Sequence, residues 1–204
     1  PYSSSKACAE LVSSAYRASY FNARTDAGCR TALATARAGN VIGGGDWAQD
    51  RLIPDLIKAF SQGETLSIRN PGAIRPWQHV LEPLRGYLDL AERLATERDA
   101  FAEAWNFGPS EDDAKSVAYI VQKLTEIWQS APSWELDAGT HPHEAHHLKL
   151  DISKARSRLG WRPQLSLEEA LHWIVEWTHR RDEGHDVRAT TLDQIRTYQS
   201  LTTP

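Results

Sequence analysis

The 204-residue sequence has no methionine and only two cysteines, Cys8 and Cys29. So few cysteines exclude a disulfide scaffold and suit a reducing, cytoplasmic setting. No apolar run reaches the length of a membrane-spanning helix, so no membrane partner is expected. The net charge is −4 with both signs interspersed. Without a basic stripe, no nucleic-acid partner is expected either. Internal repeats and low-complexity tracts are missing. So is a Gly-x-Gly-x-x-Gly turn opening a helix, which leaves the chain without a dinucleotide fingerprint of its own.

What is present starts at the first residues. Tyr2 and Lys6 stand four apart at the head of an apolar-periodic segment, and on a helix such positions lie one above the other. An ammonium beside a phenol stabilises the phenolate and lowers the tyrosine pKa. That arrangement makes a base able to take a proton from a sugar hydroxyl near neutral pH. Lysine is common, so the spacing alone carries little; the small residues Ser3, Ser4, Ser5 and Ala7 around it would let a flat ligand approach. A catalytic motif so near the start, in a chain without methionine, leads to the expectation that this is the C-terminal part of a longer protein.

Periodicity predicts alternating strands and helices. A helix is expected over about 3–22, with Leu11, Val12, Ala15 and Tyr16 at helical spacing. A strand follows over 31–38, then the loop Gly39-Asn40-Val41-Ile42-Gly43-Gly44-Gly45-Asp46-Trp47. A second helix carries Leu52, Ile53, Leu56, Ile57 and Phe60 to Gly63, and a strand over 65–69 turns at Asn70-Pro71-Gly72. A third helix over 82–96 turns Leu84, Leu88, Ala91 and Leu94 inward. A short strand over 104–107 precedes a helix over 114–128. Asp151 reads as a cap, Gly160 as a stop, and Ser166 with Glu169 as a capping box for a helix to about His179. From Arg180 onward the chain is polar and weakly patterned. The fold class is α/β.

Several stretches carry possible chemistry. Gly43, Gly44 and Gly45 would expose backbone amides at a strand end, where α/β folds place ligands; a plain turn explains them as well. Arg51, Arg69 and Arg75 suit a pyrophosphate. Arg69 reads as a solvated surface residue, whereas Ile74-Arg75-Pro76-Trp77-Gln78-His79-Val80 surrounds Arg75 with bulky groups. His141, His143, His146 and His147 are not spaced like the His-Glu-x-x-His of zinc peptidases, and no metal is expected. Eight tryptophans read mainly as packing.

Taken in order, Tyr2-x-x-x-Lys6, Arg37-Ala38-Gly39-Asn40-Val41-Ile42-Gly43, Arg51-Leu52-Ile53-Pro54, Arg75-Pro76-Trp77-Gln78-His79-Val80, Asn106-Phe107-Gly108-Pro109 and Asp151-x-x-Lys154 with Leu159-Gly160-Trp161 resemble the extended short-chain dehydrogenase/reductases that act on nucleotide sugars. Within that family, 38–47, 75–83 and 141–146 are most similar to members that dehydrate CDP-glucose. The resemblance implies the C-terminal part of a Rossmann-type doubly wound parallel sheet plus a smaller mixed α/β substrate-binding domain. Residues 1–50 would end the NAD-binding domain, 51–180 would be mainly substrate-binding, and 181–204 a polar tail.

The resemblance also implies roles. Tyr2 would be the base and Lys6 would hold the nicotinamide ribose of NAD, regenerated in each turnover, with Asn40 also on the cofactor side. Asn40 and Arg75 would meet the substrate diphosphate, and Arg51, Leu52, Asn106, His143 and His146 would lie on the substrate side. A homodimer or dimer of dimers is implied, and this polypeptide alone would neither hold NAD nor turn over. The alternatives are another nucleotide-sugar epimerase or dehydratase, using a dTDP-, GDP- or UDP-sugar, and a non-catalytic relative that serves as a ligand-binding scaffold.

Overall fold

A computed structural model describes residues 1–21, 31–129, 132–137, 139 and 146–202. In chain order the elements are α1 (Tyr2–Tyr20), β1 (Thr35–Ala38), β2 (Asn40–Ile42), α2 (Leu52–Gln62), β3 (Leu66–Ile68), β4 (Ile74–His79), α3 (Leu81–Glu97), β5 (Ala104–Phe107), β6 (Ala114–Ser116), α4 (Val117–Trp128), β7 (Trp134–Leu136), α5 (Leu167–Asp182) and α6 (Val187–Thr202). They form two compact units. The first comprises Pro1–Ala38, Pro83–Phe107 and Asp151–Arg162; the second comprises Gly39–Glu82, Gly108–Leu150 and Pro163–Pro204.

In the first unit β1 and β5 pair in parallel, Thr35 opposite Ala104 through Ala38 opposite Phe107. Leu90, Phe101, Trp105, Phe107, Ile152 and Trp161 form its core. Gly86 decides which face of α3 meets that core: a Cβ there would lie 2.3 Å from Cδ1 of Phe107. Gly86, Leu90 and Leu94 succeed one another at helical spacing, so Leu84, Leu88 and Ala91 fall on the far side. The expectation that these three point inward is therefore overturned; the two leucines are 46 % and 71 % exposed, and Ala91 is exposed with them. On the rim, hydrogen bonds from Lys154 and then Arg158 hold the Glu103 carboxyl below the usual carboxylate range.

The second unit has a three-stranded sheet, β2-β4-β6, and a parallel pair, β3-β7. β2 runs parallel to β4, with Asn40 opposite Trp77, and β6 runs antiparallel to it, with Lys115 opposite Arg75. Part of the expected loop at 39–47 is thus a strand. Gly39 permits this, since a Cβ there would lie 2.3 Å from the Pro76 carbonyl oxygen. Helices α2, α4 and α5 supply much of the core, in which Leu56, Ile120, Leu124, Leu171 and Ile174 are buried in one cluster with Trp77. The expected capping box of Ser166 with Glu169 starts α5; α4 starts at Val117 and not at 114, where β6 stands, and Ser116 caps it by accepting from the Tyr119 N–H. Gly63 ends α2 in the left-handed conformation at φ 68°.

Most of the expected polar tail is helix α6. Tyr198 is its anchor, buried and donating its hydroxyl to Oε2 of Glu82 at 2.7 Å. Oε1 of the same carboxylate accepts the backbone N–H groups of Gln164 and Leu165 at 2.9 and 2.7 Å. Removing a donor from a fully buried carboxylate costs more than the bond is worth net. Tyr198→Phe is expected to lower unfolding free energy by about 1–3 kcal/mol in urea titration. An unchanged midpoint would show that α6 is held by other contacts.

Candidate active site

The residues predicted for chemistry fall into both units. Tyr2 opens α1, and its side chain lies outside the described set, as does all of His143. Lys6 follows one turn along the helix and is exposed. The helix is tied to its sheet by polar groups one turn beyond Lys6. Glu10 accepts from the Thr35 hydroxyl at 2.9 Å and lies 3.4 Å from the Arg37 guanidinium. Arg17 donates to the Leu33 carbonyl at 2.9 Å. Residues 2, 6 and 10 run along one helix face, so the Glu10 tether bears directly on the rotation of the segment carrying Tyr2 and Lys6. The sequence reading missed Glu10; its place four residues after Lys6 was the available signal.

Asn106, expected on the substrate side, is built into this same framework. Its Oδ1 accepts from Arg37 Nε at 2.8 Å and its Nδ2 donates to the Asp151 carbonyl at 3.1 Å. Both ends of the amide are engaged between β1, β5 and the start of the 151–162 segment. Asp151 accepts from the Ser153 N–H with its own carboxylate at 2.8 Å.

In the second unit Asn40 begins β2, half-buried opposite Trp77. Arg75 sits on β4, half-buried, and donates to the Ile74 carbonyl at 3.0 Å. His146 is brought to the same strand, because the Ile74 N–H donates to its carbonyl at 2.8 Å. Arg51 is at the N-cap position of α2, exposed and 3.9 Å from Asp46. Leu52 is the first residue of α2 and packs against the core. Beside it opens a cavity of about 170 Å³. Leu52, Leu66, Ile68 and Val117 give it apolar walls, and Asp55 and Arg69 give it polar edges.

The glycine loop has a packing explanation. A Cβ on Gly44 would lie 2.4 Å from Cγ of Trp177, and one on Gly43 would lie 2.9 Å from Cγ1 of Val80. Gly45 has φ +78°, which favours glycine outright. Trp177 belongs to α5 and donates its indole N–H to the Thr191 hydroxyl of α6 at 2.9 Å. Trp47 lies 6.3 Å from Trp177, ring to ring, with the Arg181 guanidinium 4.6 Å above it. The last two helices thereby place the loop that leads to Arg51 and Leu52. Nothing in the polar composition of 181–204 announced this.

His79 ends β4, buried, with its ring centroid 5.4 Å from that of Trp173 and the two rings edge to face. Its Nδ1 accepts from the Leu81 N–H at 3.3 Å, which assigns the proton of the neutral ring to Nε2. Among the described residues, no three His, Cys, Asp or Glu side chains gather into a metal-binding group, and no helix is long and apolar enough to cross a membrane.

Parallel strand pairs beside helices, with Tyr2 and Lys6 at the head of α1, make this an α/β fold. Residues 1–173 match the family model of GDP-mannose 4,6 dehydratase, and the chain belongs to that family, within the extended short-chain dehydrogenase/reductases. It is 53 % identical over 203 residues to the CDP-glucose 4,6-dehydratase of Salmonella typhimurium, covering 100 % of this chain and 56 % of that protein. It is 27 % identical over 187 residues to the dTDP-glucose 4,6-dehydratase of Haemophilus influenzae, covering 87 % and 51 %. The solved dTDP-glucose 4,6-dehydratase of Bacillus anthracis, in complex with NAD, shares the fold at a TM-score of 0.67 and 20 % identity, over 91 % of this chain and 54 % of that one. The chain thus spans about half the length of the curated relatives it matches.

Burial pushes the His79 pKa down from 6.5 to about 4. The folded state keeps this ring neutral while the unfolded chain protonates it below 6.5, so the unfolded state binds more protons in that window. Stability from this group is full above pH 6.5 and is lost as pH falls toward 4. The thermal midpoint of His79→Gln is expected to depend less on pH over that range than that of the unaltered protein. Parallel profiles would remove His79 as the cause.

Proposed function

We propose that the protein carrying this chain is an NAD-dependent hydro-lyase that converts CDP-glucose to CDP-4-keto-6-deoxyglucose, a step in deoxysugar synthesis for O-antigen polysaccharide. The observation that carries this reading is 53 % identity along the whole chain to a CDP-glucose 4,6-dehydratase, joined to the Tyr2–Lys6 spacing at the head of α1. Tyr2 takes the proton of the sugar O4 as C4 gives up its hydride. Lys6 stabilises the phenolate. The resulting 4-keto group would acidify C5–H, so that water is lost across C5 and C6; a hydride at C6, which bound NAD would supply, and a proton at C5 would complete the product.

The donors on α1 fit a nicotinamide cofactor: Lys6 is exposed one turn from Tyr2, and an ammonium offers three hydrogens to ribose hydroxyls. When bound, NAD supplies a reversible hydride acceptor, and Asn40 is proposed to stand near it. On the substrate side, Arg75 and Arg51 are cations suited to a diphosphate, joined by Asn40, Leu52, His143 and His146. For Asn106, bonded on both amide ends, a positioning role through Arg37 is the better-supported part. Residues 1–50 would then end the cofactor domain and 51–180 would hold most of the sugar nucleotide.

Exposed apolar side chains along α1, where Leu11 is 71 % exposed and Val12, Tyr16 and Tyr20 are also solvent-facing, support a homodimer or dimer of dimers. Such a stripe is large for a solitary surface. A cytoplasmic location suits a sugar-nucleotide substrate.

Two measurements on the product of the whole coding region test the reading. Tyr2→Phe is expected to lower formation of 4-keto product by at least about 10²-fold, the scale of general-base catalysis, and retained turnover would remove Tyr2 from that role. Offered CDP-, dTDP-, UDP- and GDP-glucose, the unaltered protein should turn over the CDP-sugar fastest. A preference for another base would move the assignment to another member of the family.

A further inference from the structure

Lys6 and Glu10 carry opposite charges four residues apart on α1, the spacing at which a helix brings an ammonium and a carboxylate together. Such a contact would occupy the ammonium proposed to serve a phenolate and a ribose. On the strand side Glu10 is already engaged. Its Oε2 accepts from the Thr35 hydroxyl at 2.9 Å, and its Oε1 lies 3.4 Å from Nη1 of Arg37. Arg37 is itself fixed. Its Nε donates to Asn106 Oδ1 at 2.8 Å, and Asn106 Nδ2 donates to the Asp151 carbonyl at 3.1 Å. A relay from the 151–162 segment through β5 and β1 thus ends on one carboxylate of α1, all within the first unit.

We infer that Arg37 is a positioning residue for Lys6: it holds the charge of Glu10 against β1, so that this carboxylate does not draw the Lys6 ammonium away from the cofactor. This rests on the NAD-dependent reading above and adds to it a residue that acts on Lys6 through Glu10.

The competition between the two cations has a definite direction. On an exposed helix the order lysine then glutamate is the weaker i,i+4 arrangement, shifting the pairing equilibrium by only about twofold. A guanidinium already oriented by Asn106 loses less freedom on meeting Glu10 than a lysine chain does. The Glu10 side chain is 27 % exposed against 41 % for Arg37, so the carboxylate is the drier partner and gains from a fixed counter-charge. Without the Arg37 charge, the cation one turn away on the same helix face is Lys6. Ligand binding, by excluding water, would sharpen the rivalry, because charge–charge energies rise as the local dielectric falls. A plain tether between α1 and β1 behaves differently: removing both members of the pair would then be no better than removing one.

The test uses the product of the whole coding region, freed of nucleotide. The rate at which acetic anhydride acylates Lys6 is read from its peptide by mass spectrometry, and NAD affinity is read by calorimetry. Arg37→Gln removes the charge and keeps a donor for Asn106. In this variant Lys6 acylation should slow and NAD should bind more weakly, each by about two- to tenfold. Adding Glu10→Gln should return both to within about twofold of the unaltered protein, although the double variant melts no higher than Arg37→Gln. A double variant no better than Arg37→Gln overturns the inference and leaves only a tether, as does unchanged Lys6 acylation in Arg37→Gln. If Arg37→Gln does not fold, Glu10→Gln alone decides. Acylation of Lys6 more than about threefold faster there would show that Glu10 already holds Lys6 and overturn the inference, and an unchanged rate supports it. Lys6 acylation that responds as expected in a protein that binds no NAD sinks the NAD-dependent reading alone. NAD binding with acylation unmoved in Arg37→Gln sinks the role of Arg37 alone.

Discussion

A single buried carboxylate organises the second unit. Glu82 is fully buried in the first turn of α3, and it accepts from the backbone of Gln164 and Leu165 and from the Tyr198 hydroxyl. An ion in this position is costly unless its lone pairs are filled, so the three donors are obligatory. The segment over 163–165 must come to it, and that segment delivers Ser166 to the start of α5. Tyr198 must come to it, and that fixes α6. A carboxylate in the first turn also agrees in sign with the positive end of the helix dipole.

The consequences reach the glycine loop through tryptophan. With α5 and α6 in place, Trp177 is held by Thr191 and fills the space that Gly44 and Gly45 leave without side chains. The loop has little freedom against so large a ring, and its continuation sets Asp46, Arg51 and the start of α2. A polar anchor among helices thus governs the placement of groups suited to an anion. The first unit works on the same principle with other parts: Glu10, Thr35, Arg37 and Asn106 form a chain of polar contacts between α1 and the β1–β5 pair, and the proposed Tyr2–Lys6 pair rides on the helix they orient.

Elements with strong local signals were readable in advance. The capping box at Ser166, the Gly63 and Gly160 stops, and the apolar period of α2 each depend on a few neighbouring residues, and each appears where expected. Signals depending on a partner far along the chain misled. Leu84, Leu88 and Ala91 share a helical period on paper, yet Gly86 against Phe107 turns another face of α3 inward. The motif around Asn106 did not announce that its amide bonds to Arg37 and Asp151. The glycine run left a ligand-contacting loop and a plain turn both open, and did not announce that Trp177 packs against it.

Sequence was sufficient for the α/β class, the family motifs and the Tyr2–Lys6 spacing, because helical period, caps and short motifs are written in residues near one another. Tertiary structure alone decided that Asp55 and Arg69 edge one cavity, that Glu82 is a buried anchor and that 187–202 is part of the fold. In each of these the energy lies in desolvation and in pairing across long chain separations, 116 residues from Glu82 to Tyr198. Neither quantity is a property of a local stretch of chain.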